Sequence, residues 1–154
     1  MRIALYQPDI PQNTGTILRL SACLGLPVDV IGPAGFDISD KNLRRAALDY
    51  MPFIDLTRHE SWGTFQTSRQ VVSKPGRLVL LSSKATVNYL DFAFDVGDTL
   101  LLGRESAGVP QAVHDAVDAS VTIAMRPGTR SLNIAVATAM VVGEAIRQVR
   151  RSVR

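Results

Sequence analysis

Polar and cationic side chains are grouped in the loop between Ile123 and Asn133, which separates two apolar segments. A β-like run at residues 120–124 enters it, and Ser131 and Asn133 at its end are residue types that begin helices. Because the first N–H groups of a helix lack intrahelical partners, such a loop can bind a ligand. An ordinary strand–turn–helix corner has the same composition, so these residues alone leave both interpretations open.

The segment after this loop, residues 134–146, is apolar except for Thr138, Gly143 and Glu144. A helix that is apolar all round is normally buried on every side, either in a core or against another subunit. The segment is too short and too interrupted for a membrane span. No N-terminal signal peptide is visible, because the apolar run at residues 1–6 is too short. We therefore expect a cytoplasmic protein with no membrane partner.

Few side chains in the sequence could bind a soft metal ion. Cys23 is the one cysteine, which excludes an intrachain disulfide and fits a reducing compartment. His59 and His114 are the two histidines, and their positions do not have the spacing of a metal site. We expect no metal cofactor.

Positive charge is concentrated at the C-terminal end of the chain. The net charge is +3, but residues 120–154 hold six arginines against one glutamate, a sum of +5, while residues 1–119 sum to −2. Arginine pairs bidentately with phosphate through its planar guanidinium. The distribution favours a polyanionic partner, nucleic acid first. A solvated basic helix end that complements its own dipole would equally explain the last arginines.

Short apolar runs alternate with helical segments along the chain. The predicted strands are residues 2–6, 28–31, 53–56, 77–81, 99–102 and 120–124. The predicted helices are residues 13–24, 41–48, 60–70, 110–117 and 134–146. This order predicts an α/β fold, a mostly parallel sheet with helices on both faces, in a single domain. Ligands in such sheets bind beyond the carboxyl ends of strands, here the loops after Leu81, Leu102 and Ala124.

The common nucleotide-binding signatures do not occur in the sequence. Residues 7–11, after the first strand, read Gln-Pro-Asp-Ile-Pro rather than G-x-G-x-x-G, and there is no G-x-x-x-x-G-K-[ST]. A dinucleotide oxidoreductase or a phosphate-loop NTPase is therefore disfavoured.

Three segments together resemble the motifs of a known family. They are residues 13–19, with Asn-Thr-Gly and Arg19; residues 102–110, Leu-Gly-Arg-Glu-Ser-Ala-Gly-Val-Pro; and residues 123–133, which end in Arg-Ser-Leu-Asn. In this order and at these spacings they are similar to the motifs of the SPOUT-class RNA 2′-O-ribose methyltransferases. The resemblance is greatest to the tRNA (cytidine/uridine-34-2′-O)-methyltransferases. It spans nearly all of residues 1–154 as one SPOUT domain, with no appended RNA-binding domain.

The resemblance implies a fold feature that periodicity does not predict, a C-terminal segment threaded through a loop into a deep trefoil knot. It also implies a homodimer and S-adenosylmethionine bound in the knot, with S-adenosylhomocysteine as the product. The implied cofactor-binding positions are Leu81, Gly103, Ile123, Met125, Ser131 and Leu132. By residue type alone, Leu81 and Ile123 would be ordinary core residues.

The resemblance further implies methyl transfer to the ribose 2′-hydroxyl of the wobble nucleotide, position 34, in the tRNA anticodon stem-loop. Arg19, Glu105, Ser131 and Asn133 are the implied catalytic residues. Because a guanidinium does not readily give up its proton, Arg19 would stabilise the developing alkoxide or grip the adjacent phosphate rather than act as a base. Glu105 would hold its own loop or interact with the cofactor's positive charge. Asn133 would orient the ribose or cap the last helix.

Arginines supply the expected contacts to tRNA phosphates, at Arg19, Arg44, Arg45, Arg126, Arg130, Arg147 and Arg150. Arg104 departs from the family pattern, which often has proline, serine or asparagine there, and it could alter the charge at the cofactor site.

Three alternatives stay open for the function. They are a SPOUT enzyme for another RNA, such as rRNA or another tRNA position; a non-catalytic RNA-binding homologue; and an unrelated nucleotide-binding α/β enzyme.

Overall fold

The computed structural model of the protein describes residues 1–37, 48–72 and 75–152. The strands are β1 Arg2–Tyr6, β2 Val28–Ile31, β3 Leu56–His59, β4 Leu78–Leu81, β5 Thr99–Leu102 and β6 Ala119–Val121. The helices are α1 Pro11–Leu24, α2 Trp62–Val71, α3 Gln111–His114 and α4 Ile134–Ser152, with a 3₁₀ helix at Leu48–Phe53. The six strands form one sheet in the order β3-β2-β1-β5-β4-β6, and every neighbouring pair is parallel.

Helices cover both faces of this sheet, as predicted. Alternate strand residues such as Ile3 and Leu100 pack in one core with α1 and α4. The residues between them, such as Ala4, form a second core with Phe65 of α2 and Val113 of α3. Because the central strands are buried on both faces, their sequences are continuous apolar runs rather than alternating ones.

The edge strand β3 lies three residues later than predicted. It spans Leu56–His59, whereas the sequence predicted residues 53–56. Phe53 instead ends the 3₁₀ helix and is 73% exposed. As an edge strand, β3 carries exposed Thr57 and Arg58, so it has no apolar run by which it could be recognised.

The middle helices also differ from their predicted bounds. Helix α2 begins at Trp62 because Ser61 and Thr64 form a capping box, in which each side chain bonds the other's backbone N–H. Helix α3 is the single turn Gln111–His114 rather than residues 110–117. The helix predicted at residues 41–48 lies outside the described residues, apart from its last position.

Helix α1 begins earlier than predicted. Ile10 precedes it without a side-chain cap, and Pro11 stands in its first turn, where a missing N–H is not needed. Asn13 therefore lies in the first turn of α1 rather than at its N-cap, and its side-chain amide makes the contacts described below. Gly25 ends α1 in the left-handed conformation at φ 66°, as predicted.

Helix α4 is longer than predicted and is not buried on every side. Val141, Val142 and Ala145 are fully buried, but Val136 and Met140 are 52% and 39% exposed. The core of one chain therefore does not bury α4 on every side, and burial of its exposed side against another subunit stays a prediction. Across the described residues, we find no helix with the length and apolar character needed to cross a membrane.

Candidate active site

A cleft of about 620 Å³ lies at the carboxyl ends of the adjacent strands β1, β5, β4 and β6. Its volume is in the range of small-molecule and cofactor sites. The three loops expected to bind a ligand, after Leu81, Leu102 and Ala124, all contribute to its walls. The six implied cofactor positions line it together: Leu81, Gly103, Ile123, Met125, Ser131 and Leu132.

The loop after β5 forms a tight backbone wall of the cleft. The Arg104 N–H donates to the Gly108 carbonyl at 3.0 Å, and the Gly108 N–H donates to the Arg104 carbonyl at 2.8 Å. A Cβ on Gly103 would lie 2.7 Å from the Gly108 carbonyl carbon, closer than real contacts allow. Glycine is therefore needed at position 103, and it leaves bare backbone that a ligand can approach closely.

Two carboxyl groups, Asp9 and Glu105, join the loop after β1 to the loop after β5. The Asp9 N–H donates to Glu105 Oε2 and the Glu105 N–H donates to Asp9 Oδ1, each at 3.1 Å. Ser106 Oγ also donates to Asp9. Burial raises the pKa of Glu105, and the hydrogen bond between its carboxyl group and the carboxyl group of Asp9 raises it further. The same bond lowers the pKa of Asp9 to about 2. Of the two roles predicted for Glu105, these contacts favour holding the loop.

A chain of amide contacts connects Glu105 to the last helix. Asn13 Nδ2 donates to Glu105 Oε1 at 3.3 Å, and Asn133 Nδ2 donates to Asn13 Oδ1 at 2.9 Å. Asn133 Oδ1 accepts from the N–H groups of Ala135 and Val136, which caps α4. Asn133 is therefore a helix cap that also ties α4 to α1, and the three motif segments meet through one hydrogen-bonded chain.

Arg104 lines the cleft and is held loosely by its neighbours. One guanidinium nitrogen donates to Gln7 Oε1 at 3.4 Å, and Nε lies 3.9 Å from Asp9 Oδ2. The buried Nε has no hydrogen-bond partner among the described residues. Gln7 adopts φ 44°, which is uncommon for a residue with a side chain and recurs at functional sites.

Arg19 does not meet the other implied catalytic residues within one chain. It lies on the exposed side of α1, and the lining that the described residues give the cleft does not include it. Its Cζ lies 5.0 Å from the centroid of the Tyr50 ring.

The other arginines expected to bind RNA have different surroundings. Arg126 and Arg130 are exposed on the loop between Met125 and Ser131, both of which line the cleft. Arg147 forms a bidentate pair with Glu144 at 2.7 Å, and Arg150 is exposed near the end of α4. Arg44 and Arg45 lie outside the described residues.

Sequence reasoning missed several polar residues in and beside the site, among them Asp9, Lys84 and His114. Asp9 follows β1 and precedes Asn13 by four positions, so its place in a strand-end loop was a usable signal. His114 and Lys84 line the cleft itself, whereas Asp9 lies beside it and contacts Glu105. In the described ranges, no group of three or more His, Cys, Asp or Glu side chains is arranged to hold a metal ion.

Known proteins with similar sequences and structures agree on one family. The SpoU rRNA Methylase family model matches residues 1–143. A tRNA (cytidine(34)-2′-O)-methyltransferase from Beijerinckia indica is 57% identical over 147 residues, which cover 96% of this chain and 91% of that protein.

Two solved structures have the same architecture. One, described as "Structural insights into the 2-OH methylation of C/U34 on tRNA", has a TM-score of 0.88 and 39% identity, covering 96% of this chain and 94% of the other. The SpoU methyltransferase AviRb from Streptomyces viridochromogenes, in complex with AdoMet, has a TM-score of 0.87 and 29% identity, covering 99% of this chain and 61% of the other.

A parallel sheet with a glycine-walled cleft at its strand ends defines a ligand-binding α/β enzyme. More specifically, the chain belongs to the SpoU methylase family.

Proposed function

We propose that the protein is a tRNA (cytidine/uridine-34-2′-O)-methyltransferase, which methylates the ribose 2′-hydroxyl of the wobble nucleotide with S-adenosylmethionine. The observation that carries the proposal is the convergence of all three motif segments on one cleft. The near full-length relative with this activity supports the choice of substrate.

The residues of the cleft fit S-adenosylmethionine. Leu81 and Ile123 offer partly buried apolar side chains that can flank an adenine, and the Gly103 wall lets the cofactor approach the backbone. Ser131 and the backbone around it can donate and accept hydrogen bonds. Bound S-adenosylmethionine supplies an electrophilic methyl group. The protein's task is then to hold the ribose oxygen in line with it.

The ribose 2′-oxygen must also lose its proton as it bonds to the methyl carbon. Arg19 stabilises the developing alkoxide while the proton passes to water, or grips the adjacent phosphate that takes the proton, and does not itself act as a base. Glu105, Asn13 and Asn133 are positioning residues in this proposal, because their contacts hold the loops around the cleft.

The active form proposed is a homodimer. Arg19 lies outside the cleft of its own chain, so a second chain can supply it. Helices α1 and α4 pack together and leave Leu24, Val136 and Met140 exposed. Burying such apolar side chains against a second copy is favourable, and a two-fold arrangement places two clefts at the interface.

The proposed fold includes the trefoil knot. On one side, the segment at residues 82–98 bonds to the end of β6, where Tyr89 N–H donates to the Thr122 carbonyl at 2.9 Å. On the other, it bonds to α4, where Phe94 N–H donates to Gln148 Oε1 at 2.9 Å. These contacts support a C-terminal segment that passes through this loop. Residues 1–154 are taken as one such domain, acting on tRNA in the cytoplasm.

The test is to incubate the purified protein with labelled S-adenosylmethionine and with unmodified or native tRNA pools. The labelled nucleoside is then identified and mapped after digestion. A 2′-O-methyl label at position 34 is the expected result. A label at another tRNA position, or only on rRNA, would replace the substrate, and tRNA binding without any label would indicate a non-catalytic RNA-binding protein.

A further inference from the structure

The Arg19 guanidinium lies against an aromatic ring. In the part of the chain that the structure describes, the Arg19 side chain has no hydrogen bond or ion pair, and its Cζ lies 5.0 Å from the centroid of the Tyr50 ring. Tyr50 is half-buried on the 3₁₀ helix Leu48–Phe53, which packs against α1. The guanidinium is thus fixed against a neighbouring element while the side chain stays exposed.

We propose that Tyr50 is a positioning residue, whose ring holds the Arg19 guanidinium in place while leaving its N–H donors unbonded for the RNA. The inference rests on the proposed methyltransferase function and deepens it.

The geometry of a guanidinium explains why a ring suits this task. Its five N–H donors lie in the plane of the group, and a cation–π contact is made through attraction to the face of the ring. A carboxylate partner would consume two donors and neutralise the charge, whereas the ring consumes none. Arg19 can therefore be restricted in its rotamers and still present its full charge to a phosphate or an alkoxide.

The expected size of the effect follows from the strength of such contacts. An exposed cation–π pair corresponds to about a two- to fivefold change in an equilibrium. Since the ring favours the productive placement of Arg19 and does not touch the methyl group, its loss should lower kcat by about that factor. The KM for S-adenosylmethionine should not change.

Three variants separate this role from simple packing. Tyr50→Leu removes the ring and should lower kcat about two- to fivefold, while Tyr50→Phe keeps the ring and should restore the rate. Phe53→Leu is the matched control, because Phe53 is an exposed aromatic residue on the same 3₁₀ helix. It should leave kcat unchanged. Thermal melting of each variant checks that folding is intact.

Two further measurements test the role of the ring without a change in side-chain size and without the RNA substrate. A fluorinated phenylalanine of the same size at position 50 weakens the attraction to a cation while preserving shape, and should lower kcat as the leucine does. In NMR spectra, the Arg19 side-chain protons should show a ring-current shift in the wild type and in Tyr50→Phe that is lost in Tyr50→Leu.

The outcomes distinguish failure of this inference from failure of the proposed function. If the wild-type protein methylates tRNA but the leucine and fluorinated variants keep the wild-type kcat, Tyr50 does not position Arg19. If those variants keep the wild-type kcat and raise only the KM for tRNA, and Tyr50→Leu weakens direct tRNA binding equally in the wild type and in Arg19→Ala, Tyr50 instead stacks on an RNA base, and the inference is overturned. A wild-type protein that methylates no RNA would reject the proposed function, and the NMR shift would still decide whether the ring holds Arg19.

Discussion

The backbone N–H groups of Asp9 and Glu105 each donate to the other residue's carboxyl group, both at 3.1 Å. This reciprocal pair connects the loop after β1 to the loop after β5 at the rim of the cleft. The two carboxyl groups share one environment but have opposite pKa shifts, so Asp9 ionises before Glu105 as the pH rises.

Asp9→Asn should destabilise the protein by about 1 kcal/mol near neutral pH, after allowance for solvent screening at the rim. The pKa of Asp9 falls from 3.8 to about 2 on folding, so the unfolded chain takes up the proton first as the pH drops. The stabilisation is therefore full above the unfolded value and is lost as the pH falls through the folded one. Urea unfolding at several pH values should show a shallower acid slope for the variant.

The control for this experiment is Asp91→Asn, at an exposed loop position. The contribution of Glu105 to stability has the opposite pH dependence, because its pKa is raised and its ionisation above pH 4.5 destabilises the folded state. The effect of Asp9 is therefore clearest below that pH. Parallel loss of stability in wild type and Asp9→Asn between pH 4 and pH 2 would show that the Asp9 carboxylate does not stabilise the junction.

Asn133 combines two contacts that a pair of variants can separate. Asn133→Ala removes the cap of α4 and the bond to Asn13, and should cost about 1 kcal/mol of stability as well as activity. Asn133→Ser keeps a capping oxygen but is too short to bond Asn13, so it should be stable yet impaired in turnover. Chemical unfolding and methylation rates measure the two effects. A fully active serine variant would leave capping as the sole role.

The sequence predicted the sheet well because the central strands are buried on both faces. Runs such as Leu78–Leu81 and Thr99–Leu102 are continuous and apolar, which is the expected pattern for parallel strands. The edge strand β3 was misplaced because half of it faces solvent. The exposed side of α4 could not be predicted either, since an apolar residue has the same appearance in a core and in an interface.

The sequence predicted which loops would form the site, but not the contacts between their side chains. The alternation of strands and helices indicated which loops could bind a ligand, and the family motifs indicated which residues there could bind a cofactor. The pairing of Asp9 with Glu105 joins positions 96 residues apart, and no local pattern predicts such a partner. The Arg19–Tyr50 contact likewise depends on how α1 packs against a 3₁₀ helix.

Gly103→Ala should reduce S-adenosylmethionine affinity at least tenfold, because the new Cβ would lie 2.7 Å from the Gly108 backbone and force the loop to move. Gly63→Ala is the matched control. Its Cβ would meet nothing closer than 3.7 Å in the first turn of α2, and it should be neutral or stabilising by up to about 1 kcal/mol. Calorimetric titration with the cofactor gives the affinities, and equal affinity in both variants would exclude Gly103 as part of the cofactor wall.

Arg130→Gln should weaken tRNA binding and reduce the slope of log affinity against log salt concentration by roughly 0.7–0.9, the value for one phosphate contact. Arg130 is exposed beside the cleft, outside the ion pairs of the described residues. Arg147→Gln removes an arginine that is already paired with Glu144, so it should change the slope less. Equal slopes for Arg130→Gln and the wild type would place Arg130 away from the RNA backbone.

Met140→Glu should convert the proposed homodimer to a monomer, because it places a charge on the exposed apolar face of α4. Val71→Glu is the control, at an 83% exposed position on α2, on the opposite face of the sheet. Light scattering measures the mass of each. If a second chain supplies Arg19, mixing Arg19→Ala with Gly103→Ala subunits, at a cofactor concentration too low for either variant alone to be active, should restore about a quarter of wild-type activity, since half of randomly formed dimers would have one complete site. A monomeric wild-type protein, or no recovery on mixing subunits shown to exchange, would mean that each cleft works with residues of its own chain.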